Sequence, residues 1–179
     1  MTGTRRNLVV ALMVTELAGV GRPAVATSGQ AVSIRVRTSN APIATLIQHA
    51  SERSNTFRGL VNTINASDGI VYVEPGACGH GMRACFVNVT KAGSNRMLWV
   101  MVDARGVDCD LMGLIGHELQ HTIEVLGNPH VTDFASMYNF YSSELNPGGS
   151  FPFETTEAKR VGEAVRAEVR RASRCTKLP

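Results

Sequence analysis

The stretch Gly116-His117-Glu118-Leu119-Gln120-His121 places two histidines four residues apart, with a glutamate directly after the first of them. On a helix, residues i and i+4 lie one above the other, so both imidazole rings can reach a single metal ion. The carboxylate of Glu118 then flanks the coordination position that the rings leave open. This spacing therefore predicts a metal-bound water with a proton acceptor beside it.

The residues around this motif predict a helix with one apolar face and one polar face. Asp108 and Asp110 supply the negative charge that favours a helix start, and Gly127-Asn128-Pro129 supplies a stop. At helical spacing, one side of the segment carries Leu111, Met112, Ile115, Leu119, Ile123 and Leu126. The opposite side carries His117, His121 and Glu124. We expect the first side to pack into the core and the second to face a cleft.

Between residues 110 and 126 the chain resembles the zincin metallopeptidases. This resemblance implies Zn²⁺ as the cofactor, with His117 and His121 as two of its ligands. It also implies that Glu118 is the general base, which takes a proton from the zinc-bound water and passes it to the leaving amine. The same stretch is similar to one in small exported bacterial proteins of unsettled function.

A catalytic zinc has three protein ligands and one open position, so the motif lacks one ligand. The metzincin pattern would place Gly at position 124 and His at position 127, but this chain has Glu124 and Gly127. The gluzincin branch takes a Glu from a second helix downstream, and Glu154 is our candidate. At helical spacing Glu154 shares its face with Ala158, Val161, Val165, Val169 and Ala172. We therefore expect its carboxylate to face inward.

Other residues also qualify as the third ligand. Glu124 lies one turn further along the ligand face, and as a non-ligand it would suit a hydrogen bond from a ring or a neighbouring backbone group. Glu157 lies early in the last helix, where the helix dipole favours acidic residues in any case. His130 follows the helix stop, and it could instead donate to the transition state, as could Tyr138 or Tyr141.

The N-terminus predicts a secretory signal peptide over residues 1–26. Arg5 and Arg6 precede an apolar stretch from residue 8 to residue 20, and Ala24-Val25-Ala26 fits the small-residue cleavage rule. The apolar stretch is short for a membrane span and is interrupted by Glu16. We expect a secreted or periplasmic protein whose residues 27–179 form a single domain, without a stable membrane span.

Four cysteines in an exported chain predict two disulfides. Cys78 and Cys85 flank a short Gly-rich loop, so we expect them to pair. That pairing leaves Cys109 for Cys175, which would tie the start of the motif helix to the end of the last helix. A metal site built from Cys78, His80 and Cys85 is a weaker alternative, because it lacks a fourth ligand and the usual close cysteine spacing.

Charge and composition favour a neutral globular domain. The chain has 18 basic and 15 acidic residues, and 44% of its residues are hydrophobic. Residues 1–26 contain three arginines and one glutamate, so removing them leaves 15 basic and 14 acidic residues. A nearly neutral domain gives no reason to expect nucleic-acid binding. We expect a monomer.

The order of predicted elements indicates an α+β fold. Apolar residues recur at helical intervals from 41 to 64, which predicts one long N-terminal helix. Strand-like segments follow at 69–74, 84–90 and 96–103, and the short turns between them favour a small, largely antiparallel sheet. After the metal-binding helix, a short helical region near 134–143 precedes the C-terminal helix. Resemblance to a compact zincin-like domain implies that an edge strand beside the cleft pairs with an extended peptide.

We predict an exported zinc-dependent peptidase that acts on a peptide or protein substrate. Glu118 is the predicted base, and His117, His121 and Glu154 are the predicted zinc ligands. The main alternative is a non-catalytic exported binding or structural domain that uses zinc as a cross-link with no open position. A metal-free globular domain is a third interpretation.

Overall fold

A computed structural model of the chain describes residues 35–79, 81–106, 108–145 and 153–172. The strands are β1 (Val36–Arg37), β2 (Gly69–Pro75), β3 (Ala84–Ala92) and β4 (Asn95–Val102). The α-helices are α1 (Ala41–Arg53), α2 (Asn55–Asn65), α3 (Cys109–Gly127), α4 (Phe134–Asn139) and α5 (Thr156–Ala172). One turn of π-helix, Phe140–Leu145, continues from α4. The α+β class is therefore confirmed.

The sheet is mixed, with the strand order β1-β2-β4-β3. β2 runs parallel to both of its neighbours, β1 and β4, and β3 pairs antiparallel with β4 at one edge. The prediction of a largely antiparallel sheet is wrong, because the loop between β2 and β3 is long enough for β4 to lie between these two strands. Only the β3–β4 hairpin has the expected tight turn, with Gly93 at a φ of 62°.

The N-terminal helical segment forms two helices instead of the single predicted one. Ser54 separates them in an extended conformation, and its hydroxyl accepts a hydrogen bond from the Phe57 N–H at 2.9 Å. Glu168 of α5 accepts hydrogen bonds from the Ser54 hydroxyl at 2.6 Å and from the Thr56 N–H and hydroxyl at 3.0 and 2.8 Å. A residue distant in sequence thus stabilises this break, which apolar spacing alone does not reveal.

Helix α3 carries the histidine motif, and its bounds agree with the predicted ones. The Asp108 carboxylate caps its start by accepting a hydrogen bond from the backbone of the first turn at 2.8 Å. At the other end, the buried guanidinium of Arg96 donates hydrogen bonds at 2.8–2.9 Å to the carbonyls of Val125, Leu126 and Asn128. Carbonyls at a helix end lack partners within the helix, so β4 completes the C-terminal end of α3.

Helices α3 and α5 approach each other closely because glycines lie at their contact. A Cβ atom on Gly116 would lie 2.9 Å from Cγ2 of Val165. A Cβ atom on Gly162 would lie 3.0 Å from the Cβ of His117. Since these separations are shorter than ordinary contacts between carbon atoms, the two glycines permit the packing of α5 against the segment that carries the first histidine.

Some of the predicted features lie outside the described residues. These are the signal peptide at residues 1–26, the boundary of the domain at residue 27, and Cys175. Cys109 is itself part of a disulfide. Among the helices of the described ranges, none combines the length and the apolarity that crossing a bilayer requires.

Candidate metal centre

The predicted ligand pair is brought together by α3. The Nε2 atoms of His117 and His121 lie 3.1 Å apart, and the two rings meet nearly edge to face. Two nitrogen ligands at about 2.0–2.1 Å from a tetrahedral zinc are separated by about 3.3 Å, so this spacing fits one shared ion. One ligand atom from each of His117, Glu118 and His121 lies within 4.8 Å of the others, and this group could hold a metal ion.

His121 is oriented by a carboxylate on the same helix. Its Nδ1 lies 2.9 Å from Oε2 of Glu124, three residues further along α3. A carboxylate accepts a hydrogen bond and cannot donate one, so this contact places a proton on Nδ1, and in the neutral ring the lone pair is then on Nε2. Nε2 faces His117, which is the direction that a shared metal ion requires.

His117 is held against α5. Its ring has a backbone hydrogen bond with Ala158, and the residue packs beside Gly162. Burial, helped by the nearby His121, lowers the pKa of His117 to about 4. His117 is therefore neutral near pH 7 and has a lone pair for a metal ion.

The carboxylate of Glu118 is buried beside the two histidines, with the residue only 7% exposed. Its Oε2 accepts a hydrogen bond from the backbone N–H of Phe86, on the edge strand β3, at 2.7 Å. Burial raises the pKa of Glu118 to about 7, although the bond from Phe86 and the nearby His121 act in the opposite direction. A carboxylate with this pKa exchanges protons readily near neutral pH.

Glu154 reaches the same place from the segment before α5. Because α5 begins at Thr156, the helical spacing that was used to orient Glu154 does not apply to it. Its Oε1 nevertheless lies 3.6 Å from Nε2 of His117, and the residue lines the same cavity as both histidines. The position fits a third ligand, and the assignment of Glu154 as that ligand stays a prediction.

The alternative ligands have other contacts. Glu124 accepts hydrogen bonds from His121, from the Tyr141 hydroxyl at 3.2 Å and from the Thr155 hydroxyl at 2.7 Å. Glu124 therefore makes the contact expected of it as a non-ligand, which is a hydrogen bond from the ring of His121. Glu157 is exposed and forms an ion pair with Arg160, which lowers the pKa of Glu157. His130 is also exposed, and it is not among the residues that line the cavity.

The two tyrosines differ in their relation to the site. Tyr141 is fully buried, and its hydroxyl lies 2.9 Å from the carbonyl of His121 and 3.2 Å from Glu124. Burial raises the pKa of Tyr141, so it stays protonated and shares its one proton between these acceptors. Tyr141 thus holds the carbonyl of His121 and the carboxylate of Glu124 in place on α3. Tyr138 is half exposed, and its ring contacts that of Phe153.

The cavity at this site has a volume of about 250 Å³. Its polar groups are those of His117, Glu118, His121 and Glu154. Its other walls are Met82, Ala84, Cys85, Phe86, Tyr141 and Phe153. The predicted disulfide between Cys78 and Cys85 is confirmed, and it places a bridged, uncharged sulfur in the wall. A larger open depression of about 700 Å³ lies beyond the disulfide loop, and Met82 borders both spaces.

No protein-family model, curated protein or solved structure matches this chain. What it does is therefore inferred from the contacts, distances and burial of its own side chains.

Three contributors to the site were not predicted from the sequence. The Phe86 N–H holds Glu118, the Thr155 hydroxyl holds Glu124, and Arg96 completes α3. For Arg96 a signal was present, because strict alternation along β4 places it on the same buried face as Leu98 and Val100. The other two contacts join segments distant in sequence, and no local pattern indicates them.

Proposed function

We propose that this chain is a zinc-dependent peptidase. His117, His121 and Glu154 would hold the ion, and Glu118 would be the general base. The observation that carries the proposal is the 3.1 Å separation of two histidine Nε2 atoms beside a buried carboxylate, all within one cavity. When bound, zinc would lower the pKa of its water toward about 7 and polarise the scissile carbonyl.

Glu118 is suited to move a proton in this reaction. One of its oxygens is fixed by the Phe86 N–H, so the carboxylate has a defined orientation toward the cavity. In the proposed reaction it takes the proton from the attacking water and passes it to the amine that leaves. The apolar walls around it limit access of bulk water, which strengthens the electrostatic interactions within the site.

The walls also support a preference among peptides. A cavity of about 250 Å³ has room for one side chain, and its walls apart from the four polar residues are apolar or aromatic. β3 is the edge strand of the sheet and contributes Ala84, Cys85 and Phe86 to these walls. We propose that an extended peptide lies along this edge and places an apolar side chain in the cavity.

The test combines metal content with hydrolysis. The purified protein is loaded with Zn²⁺, its zinc is measured by mass spectrometry, and cleavage is followed with fluorogenic peptides that carry apolar or charged residues. We expect one zinc per chain and cleavage of the apolar set. Glu118→Gln should keep the zinc and lose about 10²–10⁴-fold in rate.

Glu163→Gln is the matched control, because Glu163 is an exposed glutamate on α5 and should have wild-type activity. Hydrolysis that survives in Glu118→Gln contradicts the proposed mechanism. One zinc per chain without cleavage in the wild type, together with a large fall in melting temperature on chelation, would support the structural cross-link instead.

A further inference from the structure

Thr155 connects two parts of the candidate metal centre through a single hydroxyl group. Its Oγ1 accepts a hydrogen bond from the Ala158 N–H at 3.1 Å, which caps the start of α5. The same hydroxyl donates to Oε1 of Glu124 at 2.7 Å. A hydroxyl has one proton and two lone pairs, so Thr155 can serve both partners at once. The residue itself is only 9% exposed.

The other oxygen of Glu124 faces the histidine. Oε2 lies 2.9 Å from Nδ1 of His121 and 3.2 Å from the Tyr141 hydroxyl. Glu124 therefore accepts hydrogen bonds from α3 itself, from the π-helical turn and from the start of α5. Each acceptor oxygen is occupied, and the carboxylate has a fixed orientation relative to His121.

We propose that Thr155 is a positioning residue for the metal centre. By donating to Glu124, it fixes the carboxylate that selects the Nδ1–H tautomer of His121. By capping α5, it fixes the segment on which its neighbour Glu154 lies, 3.6 Å from Nε2 of His117. The start of α5 and the second histidine are thus oriented by the same group. This inference rests on the metal centre proposed above.

The experiment uses four variants of the full chain. Thr155→Val removes the hydroxyl at nearly constant volume, and Thr155→Ser keeps it. Thr155→Asp can still cap the helix but cannot donate to Glu124. Thr156→Val is the matched control, since it makes the same change at an exposed position one residue further on. Zn²⁺ affinity is measured by competition with a chromophoric chelator.

We expect Thr155→Val and Thr155→Asp to bind Zn²⁺ about 10-fold more weakly than the wild type. Thr155→Ser and Thr156→Val should bind as tightly as the wild type. Equal affinity in all four variants would overturn the inference. So would a loss in Thr155→Val that Thr155→Asp does not share, because the hydrogen bond from Thr155 to Glu124 would then play no part in holding the ion, and the second histidine would not be oriented by the group that caps α5.

A second readout does not depend on metal. Long-range ¹⁵N NMR of the metal-free protein reports which nitrogen of His121 carries the proton. We expect Nδ1–H in the wild type and a mixture of tautomers in Thr155→Val, which a purely structural role would not produce. If the wild type binds no Zn²⁺, the proposed function fails, and an unchanged tautomer in Thr155→Val shows separately that the inference fails.

Discussion

Replacing Arg96 by methionine removes the buried group that completes the C-terminal end of α3. The carbonyls of Val125, Leu126 and the cap residue Asn128 lose a charged donor, and a hydrogen bond to a charged group contributes about 1.5–3 kcal/mol to stability. The ion pair with Asp68 adds little, because the Asp68 side chain is 43% exposed. Water that enters the gap recovers part of the loss, so we expect a decrease of about 3–5 kcal/mol in the free energy of unfolding.

Urea denaturation of the metal-free protein at pH 7 measures this loss. We expect a lower midpoint with an unchanged slope, since the variant exposes a similar surface on unfolding. Arg105→Met is the matched control, because the Arg105 side chain is 90% exposed and forms a surface ion pair with Asp103. This variant should unfold at the wild-type midpoint. A loss below about 1 kcal/mol in Arg96→Met would refute the idea that Arg96 stabilises the end of α3.

The effect should also depend on pH. The hydrogen bonds from Arg96 hold the pKa of Asp68 below its ordinary value, and burial opposes them only in part. A lowered carboxyl pKa contributes stability that is present above the unfolded value and is lost as the pH falls through the folded one. The difference in the free energy of unfolding between the wild type and Arg96→Met should therefore become smaller below about pH 4.

Two further predictions concern α5. Gly162→Ala places a Cβ atom 3.0 Å from that of His117, so we expect weaker Zn²⁺ binding and a lower melting temperature. Gly59→Ala is the control, because nothing lies within 4 Å of the added Cβ atom. It should lower neither the Zn²⁺ affinity nor the melting temperature. Glu168→Gln should lower the melting temperature at pH 7 by weakening the bonds at the break between α1 and α2. Burial acts to raise the pKa of Glu168, but those bonds outweigh it and lower the pKa, so the difference from the wild type should shrink below about pH 4.5. Thermal denaturation at pH 7 and below about pH 4.5 measures this difference in melting temperature, with Glu163→Gln as the control. A larger difference at the lower pH would contradict the prediction.

The parts of the structure that the sequence predicted are those with a local signal. The bounds of α3, the meeting of His117 and His121 and the Cys78–Cys85 pairing follow from spacing over a few residues. The order of the strands does not, because β2 pairs with β4 across the whole of β3 in sequence. Ser54 shows the same limit, since an isolated serine inside an apolar helical pattern gives no sign that Glu168 will bind its hydroxyl.

The candidate site also combines features that local sequence spacing predicts with features that depend on residues distant in sequence. Two histidines on one helix are predictable from helical geometry, and both meet as expected. Glu154 reached the cavity although the helical argument for it did not apply, because the chain before α5 already approaches α3. No local pattern predicts the surroundings of Glu124, because its three hydrogen bonds come from groups that lie 3, 17 and 31 residues away along the chain.

The group that holds Glu118 belongs to the main chain of β3 and not to a side chain. The register between β3 and β4 shifts by one residue between Phe86 and Asn88, where the strand has a bulge beside the site. Every residue except proline has the backbone N–H that Glu118 needs. A substitution of Phe86 by any residue other than proline therefore changes the cavity wall and the packing of the strand on the core while leaving in place the hydrogen-bond donor that orients Glu118.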